Sequence, residues 1–421
     1  MRNIVMVTLE STRADHCGFL GYDRDTTPNM GKMAGEGVCF ENAYSPAPRT
    51  LSSMISTFTG EPITQYIPCN SEVDFGKNGR MNLERKKTLA EALSERGYTT
   101  GAFNPSAYAS SYFGFDKGFD HFQDFMFEEG FFDKYVRGGR LNEILRHIRN
   151  LIKKEEAFKT WDTYYDEILD WVENVEEPFF LWIFLLDTHF PYLTPGGHRK
   201  WTNFLDSYLT TWKLYRCIGE KSVEFSEGDK EKVIGSYDSS IRYADRFLGR
   251  VRENLKGLDP VFIVNADHGE AFFERGVFGH FFPYLYEENI RVPWIIYNVD
   301  REEDVQKPVS MLDLYPTVMN LSDSNSSSLT LPGEDGGGVV TKDISFREGE
   351  QRVGVRLGRW KYIVGQEGSE ELYDLENDPN EEKNKAEKNP KLVKEISKIS
   401  GKYTDMDSEK IYLKNKISDM G

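Results

Sequence analysis

The sequence predicts an α/β fold: a large, mostly parallel sheet flanked by helices on both faces, with a small antiparallel sheet near the C-terminus. Three observations carry this. Residues 4–9, 179–186 and 261–264 are apolar runs without polar alternation, the mark of strands buried on both faces. They are separated by segments with helical spacing, which is the order of a parallel sheet with crossover helices. Beyond Gly338 the pattern shifts to short strands of alternating polarity, as in a small antiparallel sheet with one covered face.

Taken in order, residues 4–9 form a strand that ends in Glu10-Ser11-Thr12-Arg13-Ala14-Asp15. Thr27-Pro28-Asn29-Met30 opens a helix that Gly35 and Gly37 close, and residues 38–43 form a short strand. The stretch from Tyr44 to Gly60 follows. Pro46 and Pro48 hold its first half extended. Thr50 then takes the N-cap of a helix with Leu51, Met54, Ile55 and Phe58 on one face and Gly60 as its stop. Residues 87–96 read as an amphipathic helix, and 98–103 as a strand ending at Asn104-Pro105. The charged stretch 127–175 reads as a mostly helical surface excursion. The apolar run 179–186 ends at Asp187-Thr188-His189, and a helix covers 222–255. Strand 261–264 ends at Asn265-Ala266-Asp267-His268-Gly269-Glu270, a further strand covers 292–297, and a helix containing Pro316 covers 312–321. The domain reading is a catalytic α/β domain over 1–321, a flexible Ser- and Gly-rich connection over 322–338, and a small antiparallel subdomain with a charged helical tail over 339–421.

The chain has 421 residues, 39% hydrophobic and 14% aromatic, enough for one large core and a smaller appendage. Its 69 acidic and 52 basic residues give a net charge of −17, which argues against nucleic acid or an anionic membrane as the main partner. An enzyme of this charge acting on an anion needs a local positive charge, most simply a metal ion. Four cysteines without a Cys-x-x-Cys pair indicate neither a zinc cluster nor a disulfide framework. The N-terminus runs straight into a strand, without a signal segment. No apolar run approaches the roughly 20 residues that span a bilayer. The expectation is a cytoplasmic protein without membrane insertion; its oligomeric state is left open.

The polar residues that matter follow strands: Glu10, Asp187 with His189, Asp267 with His268, and Thr50 at a helix start fed by a strand. Open α/β sheets bind ligands beyond the carboxyl ends of their strands, so these residues converge although they lie far apart in sequence. Two carboxylates, an imidazole and a hydroxyl compose a divalent metal site. An ion there lowers the pKa of the Thr50 hydroxyl and makes it a nucleophile. Taken alone, Thr50 reads first as an ordinary N-cap, and Asp267-His268-Gly269 first as an ordinary turn.

In these residues the chain resembles the sulfatase-like branch of the alkaline phosphatase superfamily, nearly end to end. The landmarks are Val7-Thr8-Leu9-Glu10-Ser11-Thr12-Arg13-Ala14-Asp15-His16, Gly21-Tyr22 with Thr27-Pro28-Asn29, the Thr50–Gly60 segment, and Phe113-Gly114-Phe115-Asp116. They continue through Asp187-Thr188-His189-Phe190-Pro191-Tyr192, Asp267-His268-Gly269-Glu270, Phe278-Gly279-His280 and Gly358-Arg359-Trp360-Lys361-Tyr362. The resemblance implies that Glu10 is the first metal-binding acid, that Asp267 and His268 are the second metal-binding pair, and that Thr50 is the nucleophile and a fourth ligand. His189 and His280 then act on the substrate's anionic group or leaving oxygen. Asn104, Asp187, Ser11 and Lys361 are substrate-binding candidates.

Two departures from the family pattern matter. Sulfatases carry Cys-x-Pro-Ser-Arg, or Ser for Cys, whose first residue becomes formylglycine; the matching run here is Thr50-Leu51-Ser52-Ser53-Met54. Threonine cannot give that aldehyde, and it is the nucleophile in phosphodiesterase-like relatives. A decoy, Ser45-Pro46-Ala47-Pro48-Arg49, lies five residues upstream. Ser11 also replaces the acid usually found beside the first ligand. Fewer oxygen ligands and one imidazole favour a single Mn²⁺ or Zn²⁺ over Ca²⁺ or Mg²⁺. The expected function is metal-dependent hydrolysis of a small anionic phosphate ester by attack from Thr50. The alternatives are sulfate-ester hydrolysis and transfer of a phospho-group to an acceptor alcohol.

Overall fold

The six residues Ile4–Leu9 are all buried, and the computed structural model places them as strand β1 at the middle of a nine-stranded sheet. The structure describes residues 1–62, 83–125, 159–219, 224–280, 284–323, 331–332, 339–344, 351–365 and 368–401. Its first six strands are β1, β2 (Gly37–Tyr44), β3 (Thr99–Asn104), β4 (His121–Asp124), β5 (Phe179–Leu185) and β6 (Val261–Ala266). A two-stranded ribbon of β7 (Ala271–Phe272) and β8 (Phe278–Gly279) comes next, then β9 (Arg291–Tyr297), β10 (Glu303–Val305) and β11 (Val309–Ser310). The large sheet has the order β10-β2-β9-β6-β1-β5-β3-β4, with β11 also on β2. Ile4 faces Phe180 on one side and Val261 on the other, both in parallel register. Every strand of this sheet points the same way except β9, which is antiparallel to β2 and to β6.

Helices flank the sheet: α1 (Pro28–Gly35), α2 (Thr50–Thr59), α3 (Leu89–Ser94), α4 (Tyr165–Asn174), α5 (Phe204–Gly219), α6 (Glu227–Asn254) and α7 (Leu314–Leu321). In α2, Leu51, Met54, Ile55 and Phe58 are buried, and the Phe58 ring lies 4.4 Å from that of Trp182 on β5. Gly60 ends the helix at φ +65, a conformation other residues rarely adopt. The N-cap of α2 is Arg49 rather than Thr50, which is the first helical residue and caps nothing with its side chain. One position of shift leaves the hydroxyl available to groups outside the helix.

Several elements are shorter than the spacing predicts, and caps explain where they stop. Thr88 and Glu91 form a capping box, so the helix expected over 87–96 begins at Leu89. Ser226 and Asp229 form another, which starts α6 at Glu227. A short 3₁₀ turn, Met311–Asp313, precedes α7 and puts Pro316 in its first turn, where the missing N–H has no partner to lose. Most of the surface excursion and most of the 322–338 connection lie outside the described residues. Cys17 and Cys39 are free thiols. Among the described residues no helix is long and apolar enough to cross a membrane.

The C-terminal sheet has four antiparallel strands: β12 (Val339–Ile344), β13 (Gln351–Leu357), β14 (Trp360–Gly365) and β15 (Glu370–Asp374). Val339, Ile363 and Tyr373 pack with Tyr44, Leu285, Tyr286 and Ile290 of the large domain. Tyr44 ends β2 and faces Arg291 at the start of β9, so the small sheet docks at the carboxyl edge of the large one. Its other side packs Val355, Tyr362 and Leu372 against Val393 and Ile396, in a helix over 390–401.

Candidate active site

Register alone brings the first residues together. Leu9 faces Leu185 on one side and Ala266 on the other, so Glu10 and Asp267 leave the sheet at the same level. Ser11 follows with φ +54 and turns the chain over the edge. Its N–H donates to Asp267 Oδ1 at 2.9 Å, and its carbonyl accepts the Tyr237 hydroxyl of α6 at 2.7 Å. The backbone N–H of His268 donates to the same Oδ1 at 2.8 Å. Thus one carboxylate oxygen of Asp267 is fixed by the backbone and the other is left to face the site.

His268 Nδ1 lies 2.7 Å from the Gly269 carbonyl oxygen. A carbonyl only accepts, so Nδ1 carries the hydrogen and Nε2 presents a lone pair. Nε2 sits 3.2 Å from Thr50 Oγ1 and 3.4 Å from Asp267 Oδ2. Thr50 Oγ1 donates to Glu10 Oε1 at 3.1 Å. Gly269 makes this turn possible, because a Cβ there would lie 2.1 Å from the Glu288 carbonyl oxygen.

Ligand atoms of Glu10, Asp267 and His268 all lie within 4.8 Å of one another, and all three residues are buried. Glu10 Oε2 and Asp267 Oδ2 have no hydrogen-bond partner. Burying a carboxylate oxygen without a partner is costly. Burial pushes Glu10 up to about 8 and Asp267 up to about 6, and it pulls His268 down to about 3. Two orphaned carboxylate oxygens and an imidazole lone pair around one point fit a divalent cation, with the Thr50 hydroxyl as a neighbouring oxygen.

Two further imidazoles stand beside this group. His189 Nε2 is 3.8 Å from Glu10 Oε1, and its Nδ1 meets the Phe190 carbonyl oxygen. His280 has its ring 4.4 Å from that of His268 and 5.4 Å from that of His189. Burial lowers the pKa of both, and for His280 the neighbouring His189 and Arg49 lower it further.

Glu270 and Tyr192 belong to the family-like runs but carry no role on the sequence alone. In the structure Glu270 Oε1 lies 3.0 Å from His280 Nδ1, and Glu270 Oε2 accepts the Tyr192 hydroxyl at 2.9 Å. The pair orients His280 from behind. The one sequence signal was an acid two residues past a metal-type histidine, followed ten residues later by another histidine.

The remaining candidates have other surroundings. The Asn104 amide closes a local turn, donating to the Ala109 carbonyl and accepting from the Ser106 N–H at 2.8 Å. Asp187 accepts from the Trp161 N–H at 3.3 Å, its other oxygen is unpartnered, and burial pushes it up to about 8. Ser11 contributes through its backbone, and its buried hydroxyl has no hydrogen-bond partner. Lys361 is a correction: expected at the substrate, its ammonium lies between Glu287 (3.0 Å) and Glu381 (2.8 Å) in the small sheet. The decoy Ser45 is fully buried, with its hydroxyl beside the carbonyl oxygens of Ala47 and Asp267. His16 pairs with Asp238 of α6 at 2.7 Å.

Comparison with known proteins agrees with this architecture. The model of the Sulfatase family matches residues 2–324. A sulfatase of Formosa agariphila is 24% identical over 91% of this chain and 83% of its own length. An arylsulfatase of Clostridium perfringens is 23% identical over 90% and 89%. Among solved structures, the phosphonate monoester hydrolase of Agrobacterium radiobacter superposes with a TM-score of 0.71 at 16% identity, covering 97% of this chain and 96% of that one. That last likeness speaks for the fold. With the family model spanning the large sheet and every residue of the Thr50 group, the chain belongs to the sulfatase family.

Proposed function

We propose that this ester hydrolase of the sulfatase type cleaves a phosphate ester, with Thr50 as the nucleophile and one divalent metal ion, Mn²⁺ or Zn²⁺, held by Glu10, Asp267 and His268. The observation that carries the reading is the Thr50 hydroxyl, 3.1 Å from Glu10 Oε1 and 3.2 Å from His268 Nε2. When bound, the ion supplies positive charge that favours the ionised hydroxyl and an anionic substrate. Thr50 sits at the first residue of α2, so the free backbone N–H groups of that helix end also face incoming negative charge. The Thr50 hydroxyl gives its proton to solvent, its oxygen attacks phosphorus, and the P–O bond to the ester oxygen breaks as that oxygen leaves. His280, with Nδ1 held by Glu270, takes a proton on Nε2 when the anionic ester arrives and gives it to that oxygen. Water then opens the phosphothreonine and restores the hydroxyl.

Sulfate-ester hydrolysis is the second reading, favoured by relatives named as sulfatases. Against it stands Thr50, which cannot become formylglycine. The deciding experiment is turnover of aryl phosphate, aryl phosphodiester, aryl phosphonate and aryl sulfate by metal-stripped enzyme reloaded with Mn²⁺, Zn²⁺ or Ca²⁺. Turnover of a phosphorus ester far above that of the sulfate is expected. Preference for the sulfate would overturn the proposal, and product formed only with an added acceptor alcohol would make the protein a transferase.

A further inference from the structure

The loop that precedes α5 and the middle of α6 border a half-open hollow of about 370 Å³. That is within the range of small-ligand pockets, about 300–1,000 Å³. Arg199 and Lys200 line it from the loop, and Arg242 and Arg246 from α6. The two α6 arginines are one turn apart, a spacing at which like charges destabilise a helix. In a chain of net charge −17, four cations have been gathered at one hollow.

Little in the protein neutralises them. Lys200 and Arg242 share one carboxylate, Asp25, at 3.7 and 2.6 Å. Among the described residues, no carboxylate lies within ion-pair distance of Arg199 or Arg246. The buried Nε of Arg199 has no hydrogen-bond partner. Arg246 donates to His198 Nδ1 at 3.2 Å, so Nε2 of that ring carries the hydrogen and is a donor as well. Asp245, the acid in the cavity wall, directs its carboxylate to the backbone N–H groups of Asn29 and Met30 and to the Asn29 amide. The hollow therefore presents donors and positive charge in excess of its acceptors.

We propose that this cavity is a second anion site that takes the phosphate or sulfate group of a small molecule. The guanidinium groups of Arg199 and Arg246 match the paired oxygens of such a group, and Lys200 adds a point charge. The site is separate from the Thr50 centre. Helix α6 meets the catalytic loop at Tyr237, and Arg242 to Arg246 lie five to nine residues further on. At about 1.5 Å per residue that is roughly 8–14 Å along the helix, too far for one ester group to reach both. The proposal stands whether or not Thr50 is the nucleophile.

Isothermal titration calorimetry with inorganic phosphate and with inorganic sulfate, at low ionic strength, tests it on the full chain. The proteins compared are wild type, Arg199→Ala/Arg246→Ala and Arg246→Gln. Wild type should bind with a component that weakens at least about tenfold in the double variant and less in the single one. Turnover of an aryl ester and the circular dichroism spectrum should stay as in wild type. If the double variant fails to fold, the exposed single substitution decides. Identical isotherms across the folded proteins, no heat in wild type, or binding that vanishes entirely on chelating the divalent ion would overturn the proposal.

Discussion

Lys361 and Glu10 are each only 1% exposed, yet the clusters around them end in opposite states. Around Lys361 every carboxylate oxygen has a cation or a donor close by: Glu287 meets the ammonium and the Tyr44 hydroxyl, each at 3.0 Å, and Glu381 meets the Glu287 N–H at 2.7 Å with one oxygen and, as an ion pair without hydrogen-bond geometry, the ammonium at 2.8 Å with the other. Against burial, Lys361, Arg356 and Arg291 hold Glu287 below its ordinary range. Burial wins at Glu381 and pushes it up to about 7, so one ammonium serves mainly one carboxylate and the cluster tends to neutrality. Among the described residues no lysine or arginine lies within ion-pair distance of Glu10. Glu10 and Asp267 repel each other, each keeps one oxygen without a hydrogen-bond partner, and the nearby histidines are held neutral. The same kinds of side chain build a self-neutralised support in one place and a set of donor atoms suited to a cation in the other.

The comparison breaks first at the Glu10 group. Thr50→Ala should lower turnover by several orders of magnitude, and Asp267→Asn should do the same by weakening metal binding. Asp267→Asn should not destabilise the metal-free protein, because it removes the repulsion with Glu10 and keeps an oxygen for the Ser11 and His268 N–H groups, whereas Thr50→Ala takes the hydroxyl donor away from Glu10 Oε1. A melting temperature that falls sharply in chelated Asp267→Asn would show that the carboxylate is structural.

At the self-neutralised support the signs reverse. Lys361→Met should destabilise the fold by about 3–5 kcal/mol, since it leaves Glu287 and Glu381 buried without their cation. Urea unfolding measures it, and adding Glu287→Gln should recover part of the loss. Full stability in the single variant would mean that the small sheet contributes little to the transition.

Metal removal sharpens the contrast. A bound ion at a hundredfold excess over its Kd stabilises by about 2.7 kcal/mol, so chelation should lower the urea midpoint correspondingly. The metal-free protein should also depend on pH in a definite sense. Glu10 rises from 4.5 to about 8 on folding, so its contribution is complete below 4.5 and is lost as pH climbs through 8. Stability of the chelated protein should therefore fall across that window. The loaded protein should gain instead, because binding requires the carboxylates ionised. Parallel curves with and without metal would sink the metal-site reading.

The smallest effect is expected at Tyr192→Phe, which removes one hydrogen bond from Glu270 and about 1 kcal/mol of support. If His280 protonates the leaving oxygen, turnover should drop about fivefold on esters with poor leaving groups and hardly at all on those with good ones. An equal drop on both would leave Tyr192 a packing residue.

Much of this site was readable in the sequence for a simple reason. Parallel strands all deliver their ends to one edge, so apolar runs ending in Glu10 and Asp267 announce a meeting point without any knowledge of contacts. What was not readable depends on partners far away in the chain. The Tyr192 bond to Glu270 crosses 78 positions, and Lys361 looked available in its strand because Glu287 lies 74 positions before it. The start of α2 differs by one residue because Arg49, in extended conformation, takes the cap. An apolar run also carries no direction, so nothing in residues 292–297 marked β9 as the reversed strand.

That reversal has a consequence for how the protein can change. Because β9 starts at the carboxyl edge, the segment leading into it lies on the rim, and the four-stranded sheet is fastened there through Tyr286 and Ile290. The rim is thus assembled from two pieces of different origin: strand ends that hold the reactive groups, and a separate wall that holds none of the Glu10, Thr50, Asp267 and His268 set. Loops of that wall can lengthen, shorten or be exchanged without altering the strand ends that carry Glu10 and Asp267.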